Sequence, residues 1–523
     1  MFKRRETPIF LLSVIFFLCF YYLLHGFQFG ENNNREELPL IYELTSSTTL
    51  YPNDPFVAFH TNNYTQITPF LKSVSLFIEV FRINNIKLLF FFLHMVSMIL
   101  YFVITHLFLK KLVSFNPIQS ALALLIISLI CEKFIPAGRW LFINFFDPEF
   151  LTIIIIFGFI YLHISKKYVF AMLSIWLAGI LYPIYIIPLF PALIFLMYNE
   201  EFQTDRAKAI KILISYASIP ALYTIYLWVI SRQTELYDFD ASYIMEYIRA
   251  PWHYKIPSVT YINKKAVGFF LLMIPTLIVA KKLRKADYWS KSMYTLTIGI
   301  FGTLIITSII HSIVRIPLIV QISPYRIGLF ASMFAFFLII RLIHPWWKDR
   351  KIEFLQKISA LWMLVVSLPF LLLLIFVVNK ELSHSFIQED KQRLITWILH
   401  NSDKNDLFVD YANIDVRTHC KRSSYFEHKT IPLTANGQMD WYKRFLAYNN
   451  YHEIIHPKDL AEKIKKDASP AIQTFGAKGV DKVYIAKQMT YPIDFVITYL
   501  MDTATINHHE PVYRNNSYLV FKR

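Results

Sequence analysis

Glycine is scarce in this chain, with 12 among 523 residues, and none of them builds a Gly-rich loop able to cradle phosphates. No G-x-S-x-G elbow is present either. Neither P-loop nor serine-hydrolase nor zincin chemistry is therefore expected. The three cysteines, Cys19, Cys131 and Cys420, are far apart and form no C-x-x-C pair, so neither a disulfide framework nor a zinc site is implied. Internal repeats and low-complexity tracts are absent. Charge is thin as well: Asp, Glu, Lys and Arg make up 17% of the chain.

What fills the space is hydrophobic: 55% of the residues are apolar and 17% aromatic, with 47 Phe and 32 Tyr. Apolar runs of about 18 residues or more, each long enough to cross a hydrocarbon core, recur along most of the chain. The formal charge of +16 comes from 53 Lys and Arg against 37 Asp and Glu. Many of these bases sit in short tracts between apolar runs, as the positive-inside rule requires, so no nucleic-acid partner is expected.

Lys3, Arg4 and Arg5 precede an apolar run reaching Phe27. That run is long for a signal-peptide core and no small-residue cleavage site follows, so it reads as an uncleaved first span with a cytoplasmic N-terminus. Further spans are expected near 87–109, 118–134, 150–166, 212–230, 266–280, 295–310, 326–343 and 359–378. The stretch 168–198 would measure about 46 Å as one helix, too long for a bilayer core without strong tilt. Tyr182-Pro183 and Pro188 interrupt it, so two short helices or a re-entrant hairpin are more economical.

The expected fold is an α-helical polytopic membrane protein of about eleven spans over residues 1–378, in an inner (plasma) membrane, with outer loops at 28–86, 136–150, 231–264 and 311–325. From 379 to 523 the composition becomes that of a small globular domain, read as a soluble extracytoplasmic α/β domain. There, helices are expected at 391–400 and 457–466, strands at 406–411 and 482–486, and a hairpin over 511–521 turning at Asn515-Asn516.

Four places on the outer face can carry chemistry. The first loop holds Glu31, Arg35, Glu36, Glu37, Glu43, Asp54 and His60; a carboxylate near the bilayer surface can take a proton from a hydroxyl, and Glu31 stands nearest the first span. Asp147 and Glu149 flank Pro148 where a span begins, with Arg139 close by. Acids there are ordinary helix caps, yet the pair can also position an acceptor or hold a divalent cation. The stretch Arg249–Pro257 combines Arg249, His253, Tyr254 and Lys255 with Trp252, which suits a lipid phosphate and a sugar face, or an interfacial anchor. Arg326 starts a span and can meet a phosphate or snorkel to the surface. In the C-terminal domain Arg417, His419, Lys421, Arg422, His428 and Lys429 make a basic stretch.

A first span, an acidic outer loop, acids at the start of a later span, many further spans and a C-terminal extracytoplasmic α/β domain resemble the GT-C superfamily of integral-membrane glycosyltransferases. LPLIYEL and LYPNDPF in the first loop, RAPWHY, SPYRIG, Arg422-Ser423, Lys429-Thr430-Ile431-Pro432 and Asp440-Trp441-Tyr442-Lys443-Arg444 are similar to an uncharacterised bacterial multispanning family of that architecture. The resemblance implies transfer of a sugar from a polyprenyl-phosphate carrier to a glycan, lipid or protein acceptor. It makes Glu31 the catalytic acid of the first loop, Asp147 and Glu149 the acidic motif of the second, and Arg326 a carrier-phosphate contact. The other readings are a transporter or flippase of a lipid-linked or anionic substrate, and a non-catalytic membrane protein that binds envelope glycan.

Overall fold

The structure is a computed structural model. It describes residues 6–31, 33–136, 143–230, 238–254, 264–348, 388–432, 434–466, 481–489 and 491–523, with isolated residues between 372 and 379. The chain divides into two compact units.

The first unit comprises Met1–Gln28, Lys87–Ile225 and Trp252–His384 and is built from helices. Seven helices among the described residues are long and apolar enough to cross a membrane: Thr7–His25, Ile86–Val113, Pro117–Phe134, Arg206–Tyr226, Lys264–Lys285, Tyr288–Ile313 and Pro324–Pro345. The chain thus has the multi-pass helical character of a membrane protein. The 168–198 stretch is two helices, Tyr168–Leu181 and Pro183–Asn199, bent by 119° at Tyr182. Pro183 supplies no N–H to continue the first helix and its ring restricts the residue before it, so the break falls where the sequence places it. Pro148–Ile164 is apolar but shorter. The expected span at 359–378 falls on residues of which only a few isolated positions are described.

Local chemistry sets the starts of these helices. The Asn116 side chain accepts from the Gln119 N–H at 2.9 Å while the Gln119 side chain accepts from the Asn116 N–H at 3.0 Å, a reciprocal cap that satisfies two otherwise unpaired donors. Gly328, at the head of a spanning helix, lies so close to Pro136 that a Cβ would stand 2.4 Å from the proline Cγ; any larger residue would push apart the turn that carries Arg326.

The second unit comprises Phe29–Ile86, Tyr226–Pro251 and Ser385–Arg523. The stretch expected as a polar outer loop is largely helical: Asn34–Thr45, Pro55–Asn62 and Thr68–Phe81. These pack with the C-terminal residues as one body. Asn53 donates to the Asn405 carbonyl at 2.6 Å, and the Tyr51 hydroxyl donates to the Arg417 carbonyl at 2.9 Å. The C-terminal residues hold five strands, β1 (Leu407–Asp410), β2 (Ser423–Ser424), β3 (Phe495–Tyr499), β4 (Tyr513–Arg514) and β5 (Tyr518–Lys522), in the order β2-β1-β3-β5-β4. β1 runs parallel to β2 and β3, while β5 pairs antiparallel with β3 and β4. Leu394, Ile395 and Ile398 of the helix Glu389–Asn401 pack on Phe408, Phe495, Ile497 and Val520 to form the core.

The expected helices, the first strand and the terminal hairpin are present here. The expected strand at 482–486 is instead the helix Lys482–Gln488, because the Asp481 side chain accepts from the N–H groups of Val483 and Tyr484 and caps a helical turn. The central strand β3, a Phe-Val-Ile-Thr-Tyr run of β-branched and aromatic residues, carries the signal that the sequence reading passed over.

Candidate functional site

In the first unit the site begins with a cap. One Asp147 oxygen accepts from the Phe150 N–H at 2.7 Å, and Pro148 occupies the first helical position, where a missing N–H costs nothing. The cap aims the next side chain, Glu149, into the protein interior. Upstream, the Ile143 carbonyl accepts from Tyr21 at 2.8 Å and from His94 Nε2 at 2.8 Å. Donation from Nε2 leaves His94 Nδ1 to accept from the Tyr22 hydroxyl, also at 2.8 Å. Two spanning helices thereby hold the segment that delivers Asp147 and Glu149.

Arg326 meets Glu149 there. It lies on the 3-10 turn Pro324–Ile327, directly after Ser323 in the left-handed region (φ 43°). Its guanidinium donates to the Tyr182 hydroxyl at 3.1 Å and the Tyr254 hydroxyl at 2.9 Å, and lies 3.8 Å from a Glu149 oxygen. The Tyr185 hydroxyl donates to that same oxygen. Arg326 and Glu149 are each only 1% exposed. A buried charge pair is tolerable only when opposite charge and hydrogen bonds replace water. The five residues come from four places: a helix start (Glu149), a helix break (Tyr182 and Tyr185), the short helix Pro251–Tyr254 and the 3-10 turn of Arg326.

The second unit carries its own charged cluster. Arg35 forks onto one Glu31 oxygen, at 2.5 and 3.1 Å, one helical turn before it; it also donates to Asn413 at 2.7 Å and lies 3.5 Å from Asp415. The other Glu31 oxygen has Lys391 at 3.9 Å and His419 at 4.0 Å. Arg249 donates to the Lys429 carbonyl at 2.7 Å and reaches Glu36 at 3.4 Å. Deeper still, Arg417 donates to Asp54 at 2.5 Å, Thr430 at 2.8 Å, the Ser424 carbonyl at 3.0 Å and Glu427 at 3.2 Å.

Electrostatics in this cluster follow burial and neighbouring charge. The buried Glu427 and Asp415 carboxyls are close enough for each to act on the other's ionisation. Burial and the Asp415 charge push Glu427 well above the usual carboxylate range. Burial also disfavours ionised Asp415, but the Arg35 guanidinium beside it, with nearby His419 adding to the effect when protonated, holds that carboxyl below its ordinary value. Two carboxyls held this close resist ionising together, and Glu427 is the one pushed toward its protonated form. Lys429 is pushed down to about 8 by burial and by the Arg249 and Arg35 charges. Burial raises Asp410 to about 6.

The upward shift of Glu427 has a measurable consequence. A carboxyl raised in the fold binds more protons than the unfolded chain, so its contribution to stability falls as pH rises above the unfolded value. Each pH unit in which Glu427 is protonated folded and ionised unfolded costs about 1.4 kcal/mol. Glu427→Gln keeps a donor toward Asp415 and removes that slope. Between the Asp410 value of about 6 and the Lys429 value of about 8, the parent's melting temperature is expected to fall relative to the variant's, read by thermal melting of both in detergent. Parallel pH profiles would show that Glu427 is ionised.

No family model and no curated protein matches this chain. Its chemistry must be read from its own residues. Of the residues singled out from sequence, Asp147, Glu149, Tyr254 and Arg326 fall in the first unit, where Arg326 reaches both Glu149 and Tyr254; Glu31, Arg35 and Arg249 fall in the second. Arg139 and Lys255 lie outside the described residues, as does the side chain of His253. Among the described residues no group of three or more His, Cys, Asp or Glu side chains is arranged to hold a metal ion. Sequence reasoning missed Tyr182 and Tyr185, although the Pro183 interruption marks their place.

It also missed a motif. His452-Glu453-Ile454-Ile455-His456 has the H-E-x-x-H spacing of a zincin. In a zincin the two histidines share one helical face. Here the five residues lie between the helices Ala435–Tyr448 and Pro457–Lys466 in irregular chain. His456 packs edge-on to Tyr243 at 4.8 Å and Phe239 at 5.2 Å, while His452 and Glu453 are exposed.

Proposed function

We propose that this chain is an integral-membrane glycosyltransferase of GT-C type that takes a sugar from a polyprenyl-phosphate carrier, with Arg326 and Glu149 at the reacting end of the carrier. The observation that carries the reading is the buried Arg326–Glu149 pair, oriented by Tyr182, Tyr185 and Tyr254 at the ends of apolar helices. An ionisable pair inside a bundle of spanning helices is costly, and such groups usually serve a substrate or an ion. A guanidinium presents a planar fork suited to a phosphate. When the carrier phosphate takes Arg326, Glu149 is released toward the acceptor. The acceptor O–H gives its proton to Glu149, its oxygen attacks the anomeric carbon, and the bond to the carrier oxygen breaks with inversion. The departing phosphate oxygen takes the bonding electron pair, and the negative charge it gains is held against Arg326. In this reading the sites of the first unit lie toward the outer face, and the span count with 359–378 is about eleven.

The test is release of undecaprenyl phosphate, read by mass spectrometry, from liposomes holding the purified chain, a panel of undecaprenyl-phosphate sugars and a panel of glycan, lipid and protein acceptors. Arg326→Lys and Glu149→Gln, each shown to be folded, are expected to lower release by about 100-fold, the usual loss when one charge-stabilising group is removed. Release at the parent rate from both variants would sink the proposal. Glu31→Gln in the same assay asks whether the carboxylate of the second unit takes the proton: a loss equal to that of Glu149→Gln moves the base to Glu31.

One observation favours a second reading. The helix pair broken at Tyr182-Pro183, with two tyrosines of the break on the charged pair, resembles the discontinuous helices at which transporters bind anionic substrates. Movement of a labelled lipid-linked sugar across the bilayer without any covalent product would establish that reading.

A further inference from the structure

The helix Thr68–Phe81 has two apolar faces, and one of them meets protein. Phe70, Leu71, Val74 and Ile78 are buried, and the helix packs on Asn34–Thr45. On the other face Leu76, Phe77, Val80 and Phe81 are 60%, 42%, 64% and 64% exposed. Phe77 and Phe81 lie one turn apart with ring centroids at 4.5 Å, so the four side chains form one continuous ridge. Positions i, i+1, i+4 and i+5 of a helix share a face, as that spacing requires. Most other large apolar residues exposed in this unit, such as Leu44, Leu399 and Val512, stand singly; single ones are ordinary, whereas a contiguous ridge marks a contact surface.

Chain continuity indicates what meets the ridge. The helix ends at Arg82, which takes the left-handed conformation (φ 51°) and turns the chain. Residues 82–85 then lead to Ile86, the first residue of a helix long and apolar enough to cross a membrane. Five peptide steps span at most about 18 Å, so Phe81 stays within that reach of the end of a spanning helix, and Val80 is one residue further. Exposed Lys72 and Arg82 accompany the ridge with exposed Glu79, an excess of cations that suits anionic headgroups.

We propose that the Leu76, Phe77, Val80 and Phe81 ridge is seated in the headgroup–acyl boundary of the bilayer, so that Thr68–Phe81 is an interfacial helix holding the second unit to the lipid surface. This inference does not depend on the transferase reading. The full chain with Val80→Cys takes an environment-sensitive fluorophore at the new thiol, because the native Cys19, Cys131 and Cys420 are buried. In liposomes of neutral and anionic phospholipid its emission is expected to shift to the blue and to be quenched by lipids carrying a nitroxide near the headgroup. The same label at Glu462→Cys, an exposed position of the second unit, is expected to stay water-like. Water-like, unquenched emission at position 80 overturns the proposal. A blue shift that disappears on dilution into excess lipid also overturns it, in favour of contact with a second copy of the chain.

Discussion

Arg326→Ala is expected to destabilise the first unit by about 3–5 kcal/mol, the usual cost of removing one partner from a buried ion pair. The variant leaves Glu149, only 1% exposed, without this guanidinium, and leaves the Tyr182 and Tyr254 hydroxyls without the donor they now accept from. The loss is read as a lowered melting temperature in detergent. Arg326→Met combined with Glu149→Leu is expected to recover most of it, because two apolar side chains of similar volume carry no desolvation cost. The double variant separates structure from chemistry. If the pair were only a clamp, it would fold and act as the parent does; under the proposed function it folds and releases no carrier phosphate. A double variant as unstable as the single one would show that Glu149 is not what makes Arg326 costly to remove.

Arg417→Ala is expected to cost the second unit a similar amount, about 3–5 kcal/mol. The side chain is fully buried, stacks over the Phe56 ring at 5.1 Å and donates to Asp54, Glu427, Thr430 and the Ser424 carbonyl. Asp54 is committed twice: one oxygen caps the helix Pro55–Asn62 through the Phe56 and Val57 N–H groups, each at 3.0 Å, and the other accepts from Arg417 and the Ser424 N–H. Losing Arg417 therefore removes the cation from a carboxylate that still has to cap a helix. Hydrogen exchange is expected to rise together in residues 54–62 and 423–430, with a fall in melting temperature. Arg417→Lys is expected to recover less than half, because an ammonium cannot reproduce the planar fork. Unchanged exchange in residues 54–62 would disprove the coupling.

Hydropathy made the membrane-crossing helices legible. The break at Tyr182-Pro183 was legible too, because a proline acts on its own neighbours whatever the rest of the chain does. The terminal hairpin and the helices Glu389–Asn401 and Pro457–Lys466 carry local turn and periodicity signals of the same kind. Two short elements went astray for the opposite reason. Lys482–Gln488 has residues suited to a strand, and the Asp481 cap decides for helix. β3 was passed over although its side chains favour a strand, and its place at the centre of the sheet depends on β1 and β5 alongside it.

The charged residues divide differently. Sequence alone determined which ionisable groups stand near the ends of apolar runs, and so proposed Glu149 and Arg326 separately, one as an acid at a helix start and one as a cation at another. Tertiary structure alone decided that they face each other at 3.8 Å with tyrosines from a broken helix and a short helix between the spans. It also decided that the acids of residues 29–86 belong to a folded body with Asp415, Arg417 and Glu427. The physical reason is that burying an apolar side chain depends mainly on that residue's own surface, whereas burying a charge depends on a partner. Hydropathy is a sum over neighbours in the chain; neutralisation is a property of pairs that only folding brings together.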